Sequence, residues 1–113
     1  TPLQLFNKPR TPFVAEFVGG HNILRYGEKN FALRTDNIRF DRNGFKSSVK
    51  PVGMEIADIE FQGSRVKVLL NNSHYQLFNV LMSDTDFYRN NLEVGKRVSC
   101  YWDSEDLHLL EGQ

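Results

Sequence analysis

Ile59-Glu60-Phe61-Gln62-Gly63-Ser64-Arg65-Val66-Lys67-Val68 carries a strict two-residue alternation on both sides of its centre. Ile59 and Phe61 face one side with Val66, Val68 and Leu70, while Glu60 and Lys67 face the other. A period of two is the mark of a half-buried strand. Gly63-Ser64 is a two-residue connection of the kind that favours a primed turn, so the stretch predicts a β-hairpin. The same period runs from Asn22 to the end of the chain. It predicts strands over residues 23–26, 30–34, 38–41, 54–62, 65–71, 75–82, 97–102 and 107–110. Turns are predicted at Gly27-Glu28-Lys29-Asn30, Asp41-Arg42-Asn43-Gly44 and Asn71-Asn72-Ser73-His74, with a loop over residues 90–95. Many short strands joined by Gly, Asn and Asp turns argue for an all-β fold, a small closed or nearly closed β-barrel over residues 22–113.

Residues 1–21 read differently. Thr1-Pro2 opens a short apolar turn, Asn7-Lys8-Pro9-Arg10 breaks it, and Thr11 is placed to cap a second helix with Pro12 at its first position. Phe13 and Phe17, and likewise Val14 and Val18, stand four apart and predict one broad apolar face, ended by Gly19-Gly20. The expectation is a helical stub too short to bury itself.

Composition bounds the function. The chain has 113 residues, 14 Lys+Arg against 14 Asp+Glu, and is 40% hydrophobic, which suits one folded domain rather than a disordered tail. Zero net charge argues against nucleic-acid binding, which usually carries a basic excess; basic residues interleave with aromatics only around residues 39–42. No apolar run is long enough to span a bilayer, and no basic-then-apolar leader opens the sequence, so neither membrane insertion nor secretion is expected. The lone Cys100 is expected to be a buried structural thiol.

Catalytic chemistry is hard to place. His21, His74 and His108 lie far apart, and solvated or satisfied roles are expected for them. Asp84 and Asp86 fall in a turn signature, and Asp103, Glu105 and Asp106 join two strands, so turn chemistry accounts for both acidic clusters. No phosphate-cradling loop, dinucleotide fingerprint or nucleophile elbow is present.

Pro2-Leu3-Gln4-Leu5-Phe6-Asn7-Lys8-Pro9, then Phe13-Val14-Ala15-Glu16-Phe17-Val18-Gly19 and Asn22-Ile23-Leu24, resembles the junction that precedes the C-terminal domain in ATPase subunits of ABC importers. Phe31-Ala32-Leu33-Arg34-Thr35-Asp36-Asn37-Ile38 is similar to the next pattern of that family. So are Ile56-Ala57-Asp58-Ile59-Glu60-Phe61-Gln62-Gly63, Val94-Gly95-Lys96-Arg97-Val98, and the closing Trp102-Asp103-Ser104-Glu105-Asp106-Leu107-His108-Leu109-Leu110. Thr35 and Ser104 stand where the family usually has Pro, which should loosen a corner without changing the fold.

The resemblance implies an OB-like TOBE domain that regulates or stabilises an ATPase dimer, most similar to the spermidine/putrescine type. It implies no cofactor in this piece, with ATP and Mg bound by the full-length parent. Implied partners are the parent's own ATPase domain, a second ATPase subunit in a homodimer, and the transporter's membrane subunits, on the cytoplasmic face of the cell membrane. Phe13, Val14, Phe17 and Val18 would pack on the ATPase domain. Some relatives bind a regulatory anion between C-terminal domains; by resemblance His21, Arg25, Lys29 and Arg34 are the candidates here, against structural or solvated roles for the same four. The rival reading is a free-standing barrel that carries an oxyanion or metabolite.

Overall fold

The computed structural model describes residues 20–110; the expected helical stub, with Phe13, Val14, Phe17 and Val18, lies outside them save for its last two positions. Seven strands follow in chain order: β1 (His21–Tyr26), β2 (Lys29–Arg34), β3 (Val52–Gln62), β4 (Arg65–Asn71), β5 (Phe78–Ser83), β6 (Arg97–Cys100) and β7 (His108–Leu109). One short helix, α1 (Asp84–Arg89), separates β5 from β6. The described residues divide into two compact units, residues 20–37 with 103–110, and residues 38–102.

The first unit is a three-stranded antiparallel sheet in the order β1-β2-β7. Directly paired residues share a face, so Ile23, Ala32 and the chain around Leu110 meet; Ala32 and Leu110 are buried, with Ile23 packed against them. Gly27, at φ 63°, closes the β1–β2 turn in a conformation that a Cβ would oppose.

The second unit is a four-stranded antiparallel sheet in the order β5-β4-β3-β6. The hairpin stands where its alternation predicts it, Gln62 opposite Arg65 and Glu60 opposite Lys67, with Gly63 at φ 69° in the turn. Ile56, Val66, Val68, Leu70 and Val80 are fully buried on one face. The register shifts between Ile56 and Asp58, so Ala57 is the extra residue of a bulge; that shift keeps both Ile56 and Ile59 on the apolar side. Phe61 continues that side but reaches past the core, 58% exposed, and leans edge-on against Phe87 of α1 at 5.3 Å.

Three elements differ from expectation. Residues 38–41 form no strand: a single bridge, Arg39 to Tyr101, replaces it, because the chain then turns on Asp41, whose Oδ1 accepts from Asn43 N at 3.0 Å. Strand β5 starts at Phe78 rather than at residue 75, since Leu77 sits at φ 56° and cannot continue a ladder. The turn expected at Ser83-Asp84-Thr85-Asp86 is the start of a helix; Ser83 caps it, its Oγ accepting from Asp86 N at 3.1 Å. The turn at residues 71–74 forms as expected, with Asn72 Oδ1 accepting from His74 N and Tyr75 N.

Candidate functional site

Register in the three-stranded sheet determines which candidate residues meet. His21 stands directly opposite Arg34, and Ala32, two residues before Arg34 on the same face, stands opposite His108. These side chains line one end of the sheet, where the one-turn helix Ser104–Asp106 lies. A groove of about 250 Å³ opens there, bordered by His21, Arg34, Asn37, Glu105, Asp106 and His108, with Ala32 and Leu107 as its apolar surface.

The structure separates the four residues that the resemblance brought forward. His21 and Arg34 line the groove together. Arg25 is four residues along β1, about 13 Å away at ordinary strand rise, opposite Asn30 and exposed. Lys29 pairs with Tyr26 at the hairpin turn and is also exposed. His108, expected in a solvated or satisfied role, and Glu105 and Asp106, expected as turn residues, also line the groove. Sequence spacing gave no sign that they lie near His21 and Arg34, because it is the β2–β7 pairing that brings residues 105–108 beside β2.

Charge around the groove is mixed rather than uniformly positive. Asp36 holds the Arg34 guanidinium two-pronged, Nε to Oδ1 at 3.0 Å and Nη2 to Oδ2 at 2.8 Å, so the groove's one permanent cation is already neutralised. Glu105 and Asp106 then leave a surplus of negative charge. Burial raises the Asp106 carboxyl above the usual carboxylate range; the neighbouring Asp103 and Glu105 charges add to this, and a main-chain hydrogen bond from Asp103 works against it. A carboxyl that resists ionising gains most from a cation brought beside it. The arrangement suits a small ligand with an ammonium group for Glu105 and Asp106 and an alkyl stem for Ala32 and Leu107. An oxyanion would face two carboxylates.

Elsewhere the chemistry is structural. Cys100 is fully buried on β6, and desolvation pushes its thiol up to about 12. Phe78 is buried, with Trp102 and Tyr75 each 5.5 Å from its ring, so these aromatics form one packed cluster. No group of three or more His, Cys, Asp or Glu among the described residues is arranged to hold a metal. No helix among them is long and apolar enough to cross a membrane.

The solved structure of the cytoplasmic molybdate-binding protein ModG, with molybdate bound, superposes at a TM-score of 0.63 over 74% of this chain and 62% of that one, at 13% identity. The likeness defines the class: an all-β, OB-like fold. The TOBE domain family matches residues 31–110, and the chain belongs to that family. The spermidine/putrescine import ATP-binding protein PotA of Bacillus thuringiensis (strain Al Hakam) is 32% identical over 112 residues, covering 94% of this chain and 32% of that protein. Its counterpart from Aster yellows witches'-broom phytoplasma (strain AYWB) is 24% identical over 128 residues, covering 98% of this chain and 30% of that protein. The chain thus spans about a third of the length of the curated relatives it matches.

Proposed function

We propose that the chain is the C-terminal regulatory and dimerisation domain of the ATP-binding subunit of an ABC importer, that the importer carries a polyamine, and that the groove at His21 and Arg34 reads a small amine. Family membership and the alignment of 94% of the chain with polyamine-import ATP-binding proteins support the first part. The observation that carries the last part is Arg34 neutralised by Asp36 beside Glu105 and Asp106. In this reading the domain neither binds nor hydrolyses ATP itself. It acts on an attached ATPase domain and a second subunit, at the cytoplasmic face of the membrane beside the transporter's membrane subunits.

Thermal melting of the purified chain tests the reading, because a ligand that binds only the folded state stabilises it by mass action, about 2.7 kcal/mol at a hundred times its Kd. Putrescine or spermidine should raise Tm saturably, and Glu105→Gln should abolish the rise. The second reading, an oxyanion-carrying barrel, draws on the OB-like fold shared with ModG. A rise with molybdate or sulfate and none with amines would favour it and sink the amine groove.

A further inference from the structure

Asn43-Gly44 is the one Asn-Gly pair in the sequence. Both residues are exposed, on the loop that fills residues 38–51. Asparagine is a chemically labile residue, and glycine after it leaves the next backbone nitrogen unshielded by any side chain.

Local bonding fixes the shape of the pair. Phe45 N donates to the Arg42 carbonyl at 3.0 Å, closing a four-residue turn with Asn43 and Gly44 at its centre. Gly44 stands at φ 86° while Asn43 keeps a negative φ. That combination marks a type II turn, whose first central residue has ψ of about +120°. There the Gly44 nitrogen is staggered against the Asn43 Cβ, whereas a ring closed onto the side chain needs the two eclipsed. The peptide plane between the residues must turn by roughly 120° about the Asn43 Cα–C bond first.

Arg39 opposes that rotation. Its Nη2 donates to the Asn43 carbonyl, the oxygen of that same peptide plane. The guanidinium lies 4.6 Å from the Phe45 ring, which stacks on Tyr101 at 5.9 Å, and the Arg39 backbone exchanges two hydrogen bonds with Tyr101. A Cβ on Gly44 would stand 2.8 Å from Nη2, so the close approach needs glycine. The residue that admits the guanidinium is therefore the one that makes Asn43 reactive. Among the described residues no hydrogen bond engages the Asn43 carboxamide; its backbone N donates to Asp41 Oδ1 at 3.0 Å.

We propose that Asn43-Gly44 is a latched modification site: Arg39 holds the peptide plane away from the Asn43 carboxamide, and release of that hold lets the pair deamidate and the loop stay open. Base removes the Gly44 N–H proton as the nitrogen attacks Asn43 Cγ. The N–Cγ bond forms, the Cγ–Nδ2 bond breaks, and Nδ2 leaves as ammonia with a proton from water. Water then opens the succinimide at either carbonyl, leaving an aspartyl or an iso-aspartyl residue at position 43. The net change takes up one water and releases one ammonia, with no oxidant or reductant. The iso-aspartyl form carries an extra main-chain carbon, so the type II turn cannot reclose under Arg39. Neither the family nor the groove bears on this inference.

The test is incubation of the purified, folded chain at mildly alkaline pH, followed by peptide mapping with mass spectrometry. The map reads OH in place of NH2 at position 43 and separates the two isomers. The native chain should react about tenfold more slowly than the same chain unfolded in urea, because a local opening must precede attack. Arg39→Lys keeps the charge and loses the planar fork, and Phe45→Leu takes the ring from beside the guanidinium. Each should remove most of the protection at position 43; an unchanged circular dichroism spectrum verifies folding, and either variant suffices if the other fails to fold. Ser83→Ala, which weakens the fold away from the loop, should react within about twofold of the parent. A native chain as reactive as the unfolded one, or folded latch variants no faster than the parent, would overturn the proposal. Ser83→Ala as fast as the latch variants would also overturn it, since the route would then be global unfolding.

Discussion

Arg39 and Tyr101 exchange both backbone hydrogen bonds, at 3.0 and 2.8 Å, in an isolated antiparallel bridge outside any strand. Everything between residues 39 and 51 hangs on that bridge. Gly44 stands inside the loop at φ 86°, and a Cβ there would lie 2.8 Å from Arg39 Nη2. Gly44→Ala therefore strains the backbone and dislodges the guanidinium from Asn43. The expected loss is about 1–2 kcal/mol, read by urea unfolding, with loop residues gaining proteolytic sensitivity. An unchanged midpoint would mean that the loop contributes nothing to stability.

Ile56 is fully buried beside the β3 bulge. Truncating it to Ala removes apolar contact and leaves a cavity, at a cost of about 2–5 kcal/mol. In a domain of this size that lowers Tm by at least about 8 °C. Calorimetry checks it, and a smaller fall would show that the bulge lets β3 collapse into the space.

Ser83→Ala takes the cap from α1, whose first turn otherwise leaves Asp86 N without its side-chain acceptor. The loss should be about 1 kcal/mol with the denaturant slope unchanged. Ser83→Asp should restore most of it.

Cys100 makes a pH prediction with a definite sign. Burial moves its thiol from 9.0 in the open chain to about 12 in the fold. Between those values the unfolded chain has shed a proton that the native chain keeps, so stability falls as pH rises, by about 1.4 kcal/mol per pH unit at most. Comparison with Cys100→Ala isolates this slope from the other groups that titrate in alkali. A disulfide thiol reagent at pH 8 should leave the native thiol untouched and modify it fully in denaturant.

Asp106 titrates in acid with the same sense. Its carboxyl is raised in the fold, so the native state binds the proton more tightly than the unfolded state. Its contribution is most favourable below the ordinary aspartate value and is lost as pH rises through the raised one. Asp106→Asn should flatten the acid limb of the stability profile and weaken amine binding in the groove. A profile superimposable on that of the parent chain would show that Asp106 is solvated like any surface carboxylate.

Much of this could be read from residue order. Alternation around Gly63-Ser64 and turn residues at short spacing lead to an all-β barrel, because strand period and turn chemistry are local properties; the OB-like TOBE domain was implied by the resemblance of the motifs to a known family. The helix at Asp84–Arg89 was harder: six residues with Phe87 as their one buried side chain show no helical period, and Ser83-Asp84-Thr85-Asp86 reads as a turn. The loop after Asn37 was harder still, since Arg39 pairs with a residue more than sixty positions away.

The family resemblance placed His21, Arg25, Lys29 and Arg34 together as candidates for an anion, against structural or solvated roles for the same four. Register placed Arg34 opposite His21 and beside Asp36, parted both from Arg25 and Lys29, and brought in Glu105, Asp106 and His108 from the end of the chain. The sign of a site is a sum over neighbours in space. Strand pairing assembles those neighbours from distant segments, so residue order can supply the charges while leaving their sum open.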